Sequence, residues 1–290
     1  MKIGVVYPQI EMSGSTSNLR QVAREAEATG FSHLLMYDHV LGVEHADRDP
    51  PFGVPYDESD PFHDPLVAFG YLAGITEKLE FFTGILVLPQ RPTALVARQA
   101  ADVALFSDNR LSLGVGVGWN AVEYSALGQS FATRGKRLDE QISLLRQLWE
   151  GQVVNWQGAF DVIDRAAICP APERSIPIYC GGFVRAAFVR AARLADGFIF
   201  GGQRIGGLVE QWRQLQQLLD ENGRSSANFG AHALIINERF SALTVQEAAD
   251  AIRVWQDAGG THASIVSMGQ GFTDSEQHLE YFADVFVKAR

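Results

Sequence analysis

The residues best suited to chemistry sit where short apolar runs give way to loops. His39, preceded by Asp38, follows the apolar run Ser32–Tyr37 and is the leading catalytic candidate. Imidazole exchanges protons near neutrality, which is what a general acid or base needs. The segment Leu113-Gly-Val-Gly-Val-Gly-Trp-Asn120 ends a strand-like run in glycines and an indole. Gly116 and Gly118 permit a sharp bend and the close approach of a flat ligand, and Trp119 offers a stacking face. Two further glycine-rich loops, Cys180-Gly-Gly-Phe-Val-Arg185 and Gly201-Gly-Gln-Arg204, lead straight into helices. Free amides at a helix N-terminus attract phosphate. Gly181, Gly182 and Phe183 with Arg185 form the preferred phosphate site, with Gly201 and Gly202 beside it. Gln9 after the first apolar run and Gly84-Ile85 within the third complete the set of binding candidates. For each glycine the alternative is a tight turn with no ligand.

Other chemistries find less support. Histidines 33, 45, 63, 232, 262 and 278 show no metal-ligand spacing, and no His-x-His pair follows the first apolar run. A metal-dependent hydrolase using Asp38, His39 and neighbouring carboxylates is the first competing reading. There is no Gly-x-Ser-x-Gly elbow, and the 114–118 glycines lack dinucleotide-fingerprint spacing. A formal charge of −10 disfavours nucleic-acid partners, because a phosphate backbone is repelled. Two cysteines, Cys169 and Cys180, imply no disulfide framework and fit a reducing cytoplasm. No apolar run reaches the roughly 18 residues a membrane helix needs, and the N-terminal run is too short for a signal core.

These residues need a scaffold, and the chain alternates strand and helix throughout. Predicted strands are Ile3–Tyr7, Ser32–Tyr37, Leu79–Leu88, Arg110–Val117, Ile176–Cys180, Gly197–Phe200, Phe229–Ile236 and Ala263–Ser267. Predicted helices are Leu19–Thr29, Pro65–Ile75, Thr93–Phe106, Gly135–Trp149, Val184–Leu194, Ile205–Asn222, Val245–Ala258 and Ser275–Ala289. Eight short apolar strands, each followed by a helix, argue for a closed (β/α)8 barrel forming one domain over residues 1–290. In such a barrel the working face lies at the strand C-termini, where the candidates above fall, except Gly84-Ile85, which lies inside the third strand. Two segments break the rhythm. Val40–Asp64, with four prolines, is long for a βα loop and reads as a lid or substrate wall. Gly151–Pro172 reads as a β-hairpin insertion turning near Gln157-Gly158.

Several of these stretches together resemble the bacterial luciferase-like superfamily of flavin and deazaflavin oxidoreductases. The matching pieces are Thr83-Gly-Ile-Leu-Val-Leu-Pro-Gln-Arg-Pro92, Ala100-Ala-Asp-Val-Ala-Leu-Phe-Ser-Asp-Asn-Arg110, Gly114-Val-Gly-Val-Gly-Trp-Asn-Ala-Val-Glu123 and Arg134-Gly-Lys-Arg-Leu-Asp-Glu140. Ala26-Glu-x-x-Gly-Phe31 with Asp38-His39, Pro177-Ile-Tyr-Cys-Gly-Gly182 and Ala191-Ala-Arg-Leu-Ala-Asp-Gly197 match as well. The resemblance runs from residue 2 to about 200; the last 90 residues share only the rhythm. It implies a homodimeric barrel holding FMN or coenzyme F420 across its mouth, the phosphate near Gly181-Gly182. It also implies a bulged third strand with a non-proline cis peptide near Gly84-Ile85, and a proton-shuttling role for His39. The Gly114–Glu123 and Phe131-x-x-Arg-Gly-x-Arg137 pieces are most similar to the F420 subgroup. Sugar-phosphate dehydrogenases of that branch carry a carboxylate where this chain has Trp119, so a small, more apolar organic substrate is expected. The implied activity is that of a flavin-dependent oxidoreductase or monooxygenase, with a separate flavin or F420 reductase as an implied partner. The alternatives are F420-dependent hydride transfer and a non-catalytic flavin-binding barrel.

Overall fold

The computed structural model describes residues 1–48, 56–237 and 243–290. Residues 49–55 of the expected lid lie outside that set. Strands β1 (Lys2–Val6), β2 (His33–Met36) and β3 (Glu80–Thr83) are followed by the two-residue β4 (Leu86–Val87) and by β5 (Leu111–Gly116). β6 (Val154–Gln157) and β7 (Val162–Ala166) form a separate antiparallel hairpin. β8 (Ile178–Gly181), β9 (Gly197–Phe200), β10 (Gly230–Ile235) and β11 (His262–Ile265) complete the sheet. β1 pairs with both β2 and β11, and β3 pairs with β5 through Phe81 to Leu111 and Phe82 to Ser112. Eight parallel strands therefore close on themselves, as the strand–helix count predicts.

The helices around the ring are α1 (Thr16–Thr29), α2 (Pro65–Ala73), α3 (Thr93–Phe106), α4 (Ala121–Ala126), α5 (Arg134–Trp149), α6 (Arg185–Leu194), α7 (Ile205–Glu221), α8 (Val245–Asp257) and α9 (Ser275–Ala289). Their ends follow local chemistry. Ser15 caps α1 by accepting from Asn18 N, and Gly30 closes it at φ 95°. Thr244 and Glu247 form a reciprocal capping box on α8. Leu19, Val22, Ala23 and Ala26 bury one stripe of α1 against the barrel.

Two elements differ from the sequence reading. The third strand is not continuous over 79–88, because the Gly84–Ile85 peptide is cis and separates β3 from β4. Helix α4 was not anticipated: six residues are too few for periodicity to register, and Asn120 starts it by accepting from Val122 N and Glu123 N.

The base of the barrel holds a polar layer that periodicity does not reveal. Ser32 Oγ donates to Ile3 O at 2.9 Å, so His33 Nδ1–H must donate to Ser32 at 2.8 Å. His33 Nε2 then accepts from Ser264 Oγ–H at 2.8 Å, and Ser264 accepts from His232 Nε2–H at 2.7 Å. Each hydroxyl has one proton to give, so the chain assigns both tautomers. Burial holds His33 and His232 well below the usual imidazole range and lowers His262 to about 4.

Candidate functional site at the barrel mouth

A cavity of about 720 Å³ opens at the C-terminal ends of the strands. Of the residues singled out by sequence, Asp38, His39, Gly84, Ile85, Gly116, Gly118, Trp119, Gly181, Gly182, Phe183, Gly201 and Gly202 line it. Two do not. Gln9 is 2% exposed, and its Oε1 accepts at 2.6 Å from the N–H of Tyr37, the residue just past β2. Arg185 opens α6, is exposed and is not among the residues lining the cavity. The cations lining the cavity are instead Arg134 and Arg190. Helical spacing accounts for the difference: Ala186 and Arg190, four residues apart, share the inward face of α6, and Arg185 lies off it.

The floor is Ile85. A Cβ added to Gly116 would lie 2.7 Å from Ile85 Cδ1, and one added to Gly181 would lie 2.6 Å from its Cγ2. These glycines therefore make room for an isoleucine, which in turn presents an apolar surface to the cavity. That is a different use of glycine from direct ligand approach. Gly118, at φ 58°, turns the chain above Val87.

Asp38 serves as a buried anchor. Its Oδ2 accepts from Val87 N at 2.9 Å and its Oδ1 from Arg91 at 2.7 Å, and Arg91 reaches on to Asp64 at 2.7 Å. Asp64 caps α2 through Leu66 N and Val67 N. Burial pushes the Asp38 carboxyl above its usual range, and Arg91 pulls it only partly back.

His39 is walled by aromatic rings: Phe62 at 4.9 Å, Trp119 at 5.1 Å and Tyr56 at 5.3 Å between centroids. Behind it stands Glu123, fully buried. Glu123 Oε2 lies 3.3 Å from His39 Nδ1 and accepts from Gln90 Nε2 at 3.3 Å. Glu123 Oε1 accepts from Val40 N at 2.6 Å and Leu41 N at 3.0 Å. Burial works against this charge, but the bonds from His39, Leu41 N and Val40 N outweigh it and hold the carboxyl below its usual range. Glu123 sits inside a matched motif, yet nothing in the sequence alone pairs it with His39, 84 positions away.

Opposite, Arg134 packs 3.7 Å over the Phe131 ring and donates to Phe131 O at 2.7 Å, while its buried Nε has no hydrogen-bond partner. Arg190 is held by Asp139 and by Gly135 O at 3.0 Å. No side chain caps the N-terminus of α6, and Gly182 precedes it at φ 147°. Arg134 and Arg190 line the same cavity as this uncapped helix start, and cations together with free helix amides suit an anionic group. Among the described residues, no three His, Cys, Asp or Glu side chains cluster to hold a metal, and no helix is long and apolar enough to cross a membrane.

The fold and site define a (β/α)8 barrel with a cofactor-sized cavity at its mouth. The chain belongs to the luciferase-like monooxygenase family, which matches residues 1–280. It is 35% identical over 276 residues to an uncharacterised protein of Mycobacterium tuberculosis, covering 91% of the chain and 92% of that relative. It is 28% identical over 237 residues to the FMNH(2)-dependent dimethylsulfone monooxygenase of Pseudomonas fluorescens, covering 80% of the chain and 59% of that enzyme. Among solved structures it is similar to an F420-dependent secondary alcohol dehydrogenase in complex with an F420–acetone adduct. The TM-score is 0.79 over 100% of both chains at 17% identity, a likeness of fold. Named relatives of this chain thus include both an FMNH(2)-dependent and an F420-dependent enzyme.

Proposed function

We propose that the chain is an oxidoreductase that holds FMN or F420 across the barrel mouth and acts on a small, fairly apolar organic substrate. The carrying observation is His39, backed by Glu123 and set in an aromatic wall, on the same cavity as the anion-receptive Arg134. The tricyclic ring would rest on Ile85, and its phosphate would take Arg134, Arg190 and the amides after Gly182. When bound, reduced FMN would supply oxygenation chemistry, whereas F420 would supply or accept a hydride. Of the two, F420 is favoured by the Gly114–Glu123 and Phe131–Arg137 matches; with FMN, a separate reductase would provide the reduced form. The chain's own part is to orient the substrate between Trp119 and Tyr56, exclude water, and move one proton at His39 Nε2.

Side-by-side titration of the purified protein with FMN and F420 tests the cofactor. His39→Ala is expected to lower turnover by ~10²–10⁴-fold while leaving cofactor affinity within about twofold. Failure to bind either cofactor, or undiminished turnover in His39→Ala, would overturn the reading.

A further inference from the structure

We propose that Glu123 is a positioning residue: it fixes which nitrogen of His39 carries the proton and couples that choice to the seating of the Val40–Leu41 strap. This rests on the reading that His39 moves a proton, and it adds a residue and a coupling that the reading does not contain.

The argument begins with a donor count. A carboxylate has about four lone-pair sites. Glu123 has four donors aimed at it: His39 Nδ1, Gln90 Nε2, Val40 N and Leu41 N. The side chain is fully buried, so no water competes for it. A proton on either oxygen would cost an acceptor site and oppose an incoming N–H. The group is therefore held as an anion, and His39 must present Nδ1–H to it. That leaves Nε2 as the nitrogen on the cavity side, an acceptor when the ring is neutral and a donor when it is protonated.

The two oxygens divide the work. Oε1 takes the strap amides at 2.6 and 3.0 Å, and Oε2 takes His39 and Gln90 at 3.3 Å each. Val40 and Leu41 are the first residues of the long 40–64 insertion. The two residues are 42% and 44% exposed, so this backbone is tied down by its amides rather than by burial. Asn120 Nδ2 adds a bond to Leu41 O at 3.5 Å from the same helix start. If the strap lifts, the anion loses two donors and rests more heavily on the bond from His39 Nδ1–H. Thermodynamic reciprocity requires the converse: a stronger bond from His39 draws the anion away from the strap and eases its release.

The charged and titratable groups around His39 allow this coupling to dominate. Glu123 faces it from α4 and Tyr56 from the insertion, where burial raises the phenol well above its ordinary range. Asp38, on its own segment, is paired with Arg91. Trp119 and Phe62 carry no charge. Arg134 and Arg190 line the same cavity and are bonded to Phe131 O and to Asp139.

The test uses the cofactor-free full chain first. ¹⁵N histidine NMR of the wild type is expected to show His39 as the Nδ1–H tautomer, with Glu123→Gln shifting it toward Nε2–H. In turnover, Glu123→Gln is expected to lower kcat roughly 10–100-fold with KM within about threefold, and to move the acid limb of the pH–rate profile to lower pH. Glu123→Asp, which keeps the charge on a shorter arm, should recover part of both signals. A wild-type Nε2–H tautomer would overturn the proposal even if no variant folds. A Glu123→Gln protein that loses stability but keeps tautomer and pH profile would reduce Glu123 to a loop staple and also overturn it. Since the NMR needs no cofactor, a failure to bind FMN or F420 sinks the proposed function and leaves this measurement standing.

Discussion

Replacing Gly116 by alanine should drive a methyl group into the floor of the cavity. The new Cβ would lie 2.7 Å from Ile85 Cδ1 and 2.8 Å from Cγ1, with Gly181 O at 3.4 Å on its other side. Carbon pairs prefer about 3.5–4.0 Å, so the overlap is roughly 1 Å against two atoms. Overpacking of this kind costs about 1–3 kcal/mol. For a 290-residue chain, with unfolding entropy of about 2.1 cal/mol/K per residue, 2 kcal/mol corresponds to a Tm loss of ~3 °C. Ile85→Ala should cost about 2 kcal/mol, the low end for such a truncation, because Ile85 already borders open space. The double variant should be no worse than Ile85→Ala alone, since the alanine methyl occupies vacated volume. Urea unfolding of all four proteins at one pH measures this coupling, expected at about 1–3 kcal/mol. Gly116→Ala should also weaken cofactor binding, because Ile85 is displaced upward. Costs that add to within about 0.5 kcal/mol would show that the two residues do not share the floor as described.

Four further outcomes follow from the same geometry. His33, His232 and His262 have depressed folded-state values, so between those values and about 6.5 the unfolded chain binds more protons than the folded one. Stability is then complete above pH ~6.5 and falls by up to about 1.4 kcal/mol per unit per histidine below it, and equal urea midpoints at pH 7.5 and 5.5 would contradict this. Arg134→Gln and Arg190→Gln should each weaken binding of the anionic cofactor by about 10–100-fold, more so at low salt, while Arg185→Gln changes it less than twofold; equal effects would misplace the phosphate. Asp38→Asn leaves the Arg91 guanidinium, 12% exposed, short of one partner and should cost about 3–5 kcal/mol in chemical unfolding, a loss under 1 kcal/mol being the refuting result. Val67 and Tyr71 on α2 and Leu95 and Phe106 on α3 are 68%, 43%, 52% and 66% exposed, and we propose that a second copy covers them; sedimentation equilibrium should then give about twice 31.8 kDa, and a single-chain mass would refute it.

The barrel was legible in the sequence because strand and helix periodicity are local, and eight alternations leave few ways to bury every strand on both faces. His39, the glycines at 116, 118, 181 and 182, and Trp119 were legible for a related reason: each lies directly after an apolar run, and barrel geometry sends all such positions to one rim. Tertiary structure alone decided what those residues face. Arg185 and Arg190 look alike in sequence, and only the rotation of α6 on the barrel turns one inward. Gly116 reads as a ligand-approach glycine and Gly181 as part of a phosphate loop until Ile85, from the break between β3 and β4, proves to fill the space beside both. His33, His232 and His262 look unrelated along the chain, and strand register brings their rings within 5.7 Å of one another, with His33 and His232 bonded to Ser264. Glu123 meets His39 across 84 residues because α4, too short to announce itself, places a carboxylate under the second strand's loop. Local patterns carry the positions of backbone elements, whereas pairings between distant side chains depend on rotation and register, which exist only once the ring has closed.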